Sequence, residues 1–158
     1  MVDYRYLGRS ALKVSPLSLG TMMFGQQTPD PEAFRIIDKA REQGINFIDT
    51  ADVYGDGASE RVVGEGIKAS RDQWVLATKF VNSARKGPNI GGYSRKWVIE
   101  TVENSLKRLG TDYIDLIYFH RAVFDAPLEE PVRAIADLIR AGKLRYFGVS
   151  NFRGWRIA

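Results

Sequence analysis

Short apolar runs of strand length alternate along this chain with segments of helical period, and that alternation limits the fold more than any other feature. The runs are "PLSLGTM", "NFID", "WVLATKF", "YIDLIYFH" and "RYFGVSN". After the first run, Ala33, Ile36, Ile37 and Ala40 form one apolar stripe at i, i+3, i+4, i+7. Asp30 is the expected N-cap of that helix, Pro31 its first residue, and Gly44 its left-handed close. Ser94 is expected to cap a helix that turns Val98, Val102, Leu106 and Leu109 inward and ends at Gly110. Val132, Ile135, Ala136 and Ile139 mark another, closed by Gly142. After Ala58, Val62, Val63 and Ile67 keep the period although Gly64 and Gly66 lower helix propensity. Such elements with short connections predict right-handed βαβ units and a parallel sheet. The opening "YRYLGRSALKVS" differs: a turn at Gly8-Arg9-Ser10 between short extended runs predicts a hairpin ahead of the first parallel strand.

Composition narrows the chemistry. The chain has 158 residues, 44% hydrophobic and 27% charged, as in ordinary globular proteins. Without cysteine, disulfides and thiolate metal sites are excluded, and the single histidine, His120, rules out a zinc site that needs two imidazoles. The net charge of +4 is spread among acids, as in "RIIDKARE" and "LKRLGTD", rather than gathered into the basic stripe of a nucleic-acid protein. No run is long and apolar enough to span a bilayer, and the first residues do not open a signal peptide, so no membrane association and a cytoplasmic location are expected. No linker or low-complexity block interrupts the chain, hence one domain over residues 1–158. The longest loop is "NSARKGPNIGGYS", and long loops in such folds are often functional.

Two parallel architectures compete, an open doubly wound sheet and a closed (β/α)8 barrel. A dinucleotide-binding open sheet places G-x-G-x-x-G after its first strand. Here the first strand ends Leu19-Gly20-Thr21-Met22, and "GDGASE" follows the second strand without the last glycine, which weakens the open-sheet reading.

In either architecture reactive groups gather where strands end. The second strand ends at Asp49 with Tyr54 in the loop behind it, the third at Thr78-Lys79, the fourth at His120, and the fifth runs into Ser150-Asn151. A phenol of ordinary pKa, ~10, gives up its proton poorly at neutral pH. A lysine ammonium beside a phenol favours the phenolate, and a carboxylate paired with that lysine limits the cost of burying it. A neutral imidazole can polarise and orient a carbonyl oxygen. Together these groups suit a general acid acting on an oxygen that becomes an alkoxide, and a nicotinamide hydride would supply the nucleophile they lack. Taken singly, each has a plainer reading: a loop acid, a solvent-reaching lysine, a hydrogen-bonded core histidine. Their placement at successive strand ends is what argues for chemistry.

"FIDTADVYG", "VLATKF", "YIDLIYFHR" and "YFGVSNF", in this order and spacing, resemble the aldo-keto reductases, most of all the branch with bacterial oxidoreductases, aryl-alcohol dehydrogenase-like proteins and potassium-channel β subunits. The opening "YRYLGRSALKVSPLSLGTMMFG" is similar to that family's N-terminal hairpin and first strand. The resemblance covers essentially the whole chain. It implies an α/β fold, the (β/α)8 TIM barrel of the aldo-keto reductase type, present as the N-terminal hairpin and about five βα units. It implies reduction of aldehydes or ketones with NADPH. It implies a catalytic set of Asp49, Tyr54, Lys79 and His120, with Tyr54 the proton donor, Lys79 and Asp49 its tuning pair, and His120 the carbonyl-orienting group. Ser150 and Asn151 match the pair that hydrogen-bonds the nicotinamide carboxamide. Gly20, Thr21 and Met22 match the first-strand segment that, with Asp49, lines the cofactor and substrate mouth.

The departure from the family is length. A barrel of this type takes eight strands and roughly 250 residues. The expectation is therefore part of a longer enzyme, with the contacts to pyrophosphate and adenosine 2′-phosphate in the remainder. Self-association or pairing with the missing C-terminal half is the expected partnership, beside a small carbonyl substrate. A slow-turnover regulatory or interaction subunit, or an inactive barrel fragment, are the rival readings. Met23, Phe24, Trp97 and Phe124 are aromatic or soft enough to line a substrate pocket, and each equally suits a core.

Overall fold

The computed structural model describes residues 2–81, 87–122 and 127–157; Phe124 lies outside them. A two-stranded antiparallel hairpin, β1 (Arg5–Tyr6) and β2 (Lys13–Val14), precedes a five-stranded parallel sheet. The sheet strands are β3 (Leu19–Gly20), β4 (Phe47–Asp49), β5 (Val75–Phe80), β6 (Ile114–Phe119) and β7 (Leu144–Val149), side by side in chain order. Between them come α1 (Asp30–Glu42), α2 (Ala58–Ile67), α3 (Arg95–Leu109) and α4 (Glu129–Arg140), with short 3₁₀ turns at Lys68–Gln73 and Gly154–Arg156. Each helix packs on the next, and sequential strand order with the helices along one face is the wall of an α/β barrel.

The pleat sorts side chains between the two faces. Ile48, Leu76, Thr78, Phe80, Ile117 and Phe119 share the helix side and are fully or almost fully buried. Asp49, Ala77, Lys79, Leu116, Tyr118 and Gly148 share the opposite side. The register puts Lys79 beside Tyr118 and Tyr118 beside Gly148. A methyl group at Gly148 would lie 2.8 Å from the Tyr118 ring, so that ring lies against a bare backbone.

The hairpin is tied to the N-terminal end of the sheet. Asn46, just ahead of β4, accepts from the Ser15 N–H at 2.7 Å and donates to the Lys13 carbonyl at 3.1 Å, while Tyr4 Oη donates to the Gly44 carbonyl at 2.9 Å. At the same end Arg71 bonds the Trp74 and Tyr113 carbonyls and Asp115. Asp115 also accepts from the Leu76 N–H at 3.0 Å, so one ion pair fastens β5 to β6. The opposite end, where the strands finish, stays open for chemistry.

Most helix boundaries follow the sequence reading. Ser94 caps α3 by accepting from the Trp97 N–H, and Gly44, Gly110 and Gly142 all take left-handed conformations after their helices. α1 begins one residue earlier than the sequence suggests: Pro29 is the N-cap, its carbonyl accepting from Glu32 and Ala33, and Asp30 sits in the first turn, where the helix dipole favours it. The weak propensity of α2 has a packing cause. A methyl at Gly64 would lie 2.3 Å from the Leu109 carbonyl oxygen, so α2 crosses the end of α3 at a distance only glycine permits.

α4 corrects the expected stripe. Pro131, Ala134, Ile135 and Leu138 face the core, whereas Val132 and Ile139 are exposed. Its sequence carries two apolar stripes, and contact with the sheet selects one of them. The other is left exposed at Val132 and Ile139. Correspondingly, β7 is only half-buried where β5 is buried throughout, and Trp155 and Ile157 are exposed. Phe152 is partly covered, stacked on Phe119 with ring centres 6.4 Å apart.

Candidate active site

Lys79 is the centre of the polar cluster at the strand ends. It projects from the penultimate position of β5 on the face away from the helices and is 8% exposed. Its ammonium donates to Asp49 Oδ2 at 2.5 Å, to the Thr50 carbonyl at 2.8 Å and to Tyr54 Oη at 3.2 Å. Buried lysines need such company, because an isolated ammonium out of water is costly. The ammonium also lies 4.8 Å from the Tyr54 ring centre. Lys79 therefore stands between the carboxylate and the phenol, an order that no single loop could hold.

The loop from β4 to α2 brings Tyr54 there by continuing to pair with β5 after β4 ends. Thr50 N–H donates to the Ala77 carbonyl and Asp52 N–H to the Lys79 carbonyl, each at 3.0 Å. Beyond Tyr54, Gly55, Asp56 and Gly57 take three consecutive positive φ angles and reverse the chain into α2. Gly57 has a second constraint, since a methyl there would lie 2.5 Å from the Arg108 side chain. Arg108 reaches under the loop to Glu60, which is fully buried and bonded by Arg108 Nε at 2.6 Å and by Thr78 Oγ1 at 2.7 Å. Asp52 joins this layer. Burial, with the Glu60 charge adding and Arg108 opposing, pushes its carboxyl from 3.8 up to about 8. Among the described residues, Asp52 Oδ1 is buried without a hydrogen-bond partner.

His120 follows β6 and meets the Tyr54 ring edge to face, with ring centres 6.0 Å apart. Burial lowers its pKa below 6.5, with the Lys79 charge adding to the effect and Asp49 opposing it, so the imidazole is neutral at pH 7. Its backbone is held on both sides: its N–H donates to the Phe80 carbonyl at 3.1 Å, and its carbonyl accepts from Asn151 Nδ2 at 2.8 Å. Asn151 has a left-handed backbone, φ 57°, and also donates to Ser150 Oγ at 2.9 Å. Asp49, Tyr54, Lys79, His120, Ser150 and Asn151 thus converge at one end of the sheet.

The first-strand segment behaves less uniformly. Gly20 opens onto clear space, and Met22 is exposed. Thr21 turns the other way: fully buried, its hydroxyl shares a bond with Ser59 Oγ, which in turn bonds Thr50 Oγ1, each at 2.9 Å. That side chain ties the loop together, and the Thr21 backbone is likewise held, its N–H donating to the Asp49 carbonyl and its own carbonyl accepting from Ser59 Oγ. Phe24 and Trp97 lie in the core, while Met23 is exposed. Two phenols escaped the sequence reading. Tyr118 shares the Lys79 face, its pKa pushed up to about 12 by burial with the Asp49 charge adding; its place two residues before His120 is the signal that would have found it. Tyr93 bonds the residue after His120, and nothing local in the sequence marks it.

The α/β barrel wall thus carries, at adjacent strand ends, a lysine bonded to both a carboxylate and a phenol and, beside them, a neutral imidazole, groups able to move a proton. The profile of the Aldo/keto reductase family matches residues 16–158, and the chain belongs to that family. It is 43% identical over 162 residues to a Schizosaccharomyces pombe protein named "Putative voltage-gated potassium channel subunit beta", covering 99% of this chain and 47% of that one. It is 41% identical over 167 residues to "Uncharacterized oxidoreductase YrpG" of Bacillus subtilis, covering 99% of this chain and 51% of that protein. Among solved structures, the holo form of aldo-keto reductase AKR11C1 from Bacillus halodurans superposes with a TM-score of 0.90 at 40% identity, over 99% of this chain and 53% of that one. The chain spans about half the length of the curated relatives it matches.

Proposed function

We propose that these residues belong to an NADPH-dependent oxidoreductase that reduces aldehydes or ketones to alcohols, with the cytoplasm as its setting. The observation that carries this reading is the Lys79 ammonium bonded at once to Asp49 and Tyr54. Tyr54 donates its phenolic proton to the carbonyl oxygen as that oxygen gains charge, and Lys79 stabilises the phenolate left behind. Asp49 balances the lysine charge and holds its direction. Neutral His120 donates one ring N–H to the same oxygen and sets the carbonyl beside Tyr54. The nicotinamide, when bound, supplies the hydride. The residues present fit its carboxamide end: Asn151 spends its amide N–H groups on His120 and Ser150, which leaves Oδ1 as an acceptor, and Gly20 leaves open space above β3.

The remaining barrel units are the proposed partner of this segment. The exposed apolar residues on α4, β7 at the sheet edge, and Trp155 and Ile157 all lie where such units would cover them. The grip on the phosphates is assigned to those units.

The test is Tyr54→Phe in the complete protein with Lys79 retained. General-acid loss costs about 10²–10⁴-fold in rate. A loss under about tenfold would refute the role of Tyr54. The likeness to a protein named as a channel subunit supports a second reading, slow turnover in a regulatory subunit. Rapid single-turnover oxidation of bound NADPH by an aldehyde, with slow steady-state turnover, would favour it.

A further inference from the structure

Tyr93 lies outside the four-residue cluster, immediately before the cap of α3. It is 5% exposed, edge-on to Phe80 with ring centres 5.8 Å apart and tilted against Phe119 at 4.1 Å. Those two rings end β5 and β6, the strands that deliver Lys79 and His120. A phenylalanine would fill the same space, so the hydroxyl needs its own explanation. It donates to the Arg121 carbonyl at 2.5 Å and lies 3.5 Å from the Arg121 N–H, at the limit of hydrogen-bond reach. Burial pushes its pKa up to about 12, which keeps it a donor at every pH the protein meets.

The peptide unit after His120 carries two polar atoms, the His120 carbonyl and the Arg121 N–H. Asn151 holds the first and Tyr93 faces the second, so side chains flank that peptide plane on both sides. This plane anchors the C-terminal side of the His120 Cα, so holding it limits how far the residue, and the imidazole it carries, can turn at the strand end. The main-chain bond from His120 to Phe80 fixes the residue's entry, and Asn151 with Tyr93 fixes its exit.

We propose that Tyr93 is a positioning residue for His120, its hydroxyl pinning the Arg121 backbone so that the imidazole faces Tyr54. This rests on the reading above, in which His120 orients a carbonyl.

The test is Tyr93→Phe in the complete protein, alone and combined with His120→Ala. The ring contacts with Phe80 and Phe119 survive that substitution, so the variant folds. We expect kcat/KM for the carbonyl substrate to fall about tenfold, the worth of one lost hydrogen bond, while NADPH affinity stays within about twofold. On the His120→Ala background the same change should cost nothing further, as residues acting through one another require. An equal fractional loss on both backgrounds would overturn the proposal. The imidazole resonances of His120, assigned by difference against His120→Ala, give a readout that needs no turnover. They should shift and titrate at a changed pH in Tyr93→Phe, since the ring moves relative to Lys79, Asp49 and Arg121, the charges that act on it. Unchanged resonances and titration would overturn the proposal even in a protein that reduced no carbonyl. A wild-type protein without reductase activity would instead sink the parent reading.

Discussion

Asp52 gives a prediction whose size follows from its surroundings. Its carboxyl sits below the Tyr54 loop beside Glu60, one oxygen buried without a partner, and holds its proton up to about pH 8 against 3.8 for the ordinary group. Between those pH values the folded chain carries a proton that the unfolded chain has released. Stability from this group is therefore complete below about pH 4 and lost as pH rises toward 8, at about 1.4 kcal/mol per pH unit. Asp52→Asn keeps the shape and the acceptor oxygen and removes the titration. Guanidinium unfolding of both complete proteins at pH 5 and pH 7 isolates the effect, because every other titrating group is common to the pair. The stability of Asp52→Asn relative to wild type should rise by about 2.7 kcal/mol over those two pH units. If the two proteins keep a constant difference from pH 5 to 7, Asp52 is ionised in the native state and the account of that buried layer is wrong.

His120→Ala should cut kcat/KM for carbonyl reduction by about tenfold or more and leave the melting temperature within a few degrees, since the imidazole is half-open at the strand end; loss of stability without loss of rate would make it a core histidine. Gly64→Ala should destabilise by about 1–3 kcal/mol despite its better helix propensity, because the methyl meets the Leu109 backbone. Gly66→Ala should cost less, its methyl meeting the end of the Ile37 side chain; equal melting shifts for the two would undo the crossing argument. A verified 158-residue chain, titrated with NADPH and followed by fluorescence, should show no micromolar binding and no multiple turnover, since positioning a cofactor and a carbonyl is worth ~7–11 kcal/mol of barrier and one end of a long cofactor fixes little. Tight binding with turnover by a monomer would contradict it.

What the sequence disclosed was whatever depends on period and order. Strand-length runs, helix stripes and capping residues such as Ser94 are local, and they placed the elements to within about three residues. The polar residues at strand ends were legible because parallel β-strands all finish on one side. Facing direction was not legible. Thr21 and Gly20 are neighbours at the end of one strand, yet Thr21 turns into a buried hydroxyl cluster and Gly20 onto open space. α4 holds two equally good stripes, and only its seat against the sheet decides between them. The bonds from Glu60 to Arg108 and from Tyr93 to Arg121 join residues 48 and 28 positions apart, beyond the reach of any local pattern.

The three bonds of Lys79 have a chemical consequence if the proposed carbonyl reduction holds. Imine formation needs a nitrogen lone pair, and an aldehyde held beside a free amine condenses with it. The Lys79 nitrogen has its three N–H bonds directed at Asp49, the Thr50 carbonyl and Tyr54, so baring the lone pair would strip one of these oxygens of its donor. In the proposed reductase, a lysine whose N–H bonds are all engaged in this way would be hindered from acting as a nucleophile, and the site would resist capture by its own carbonyl substrates.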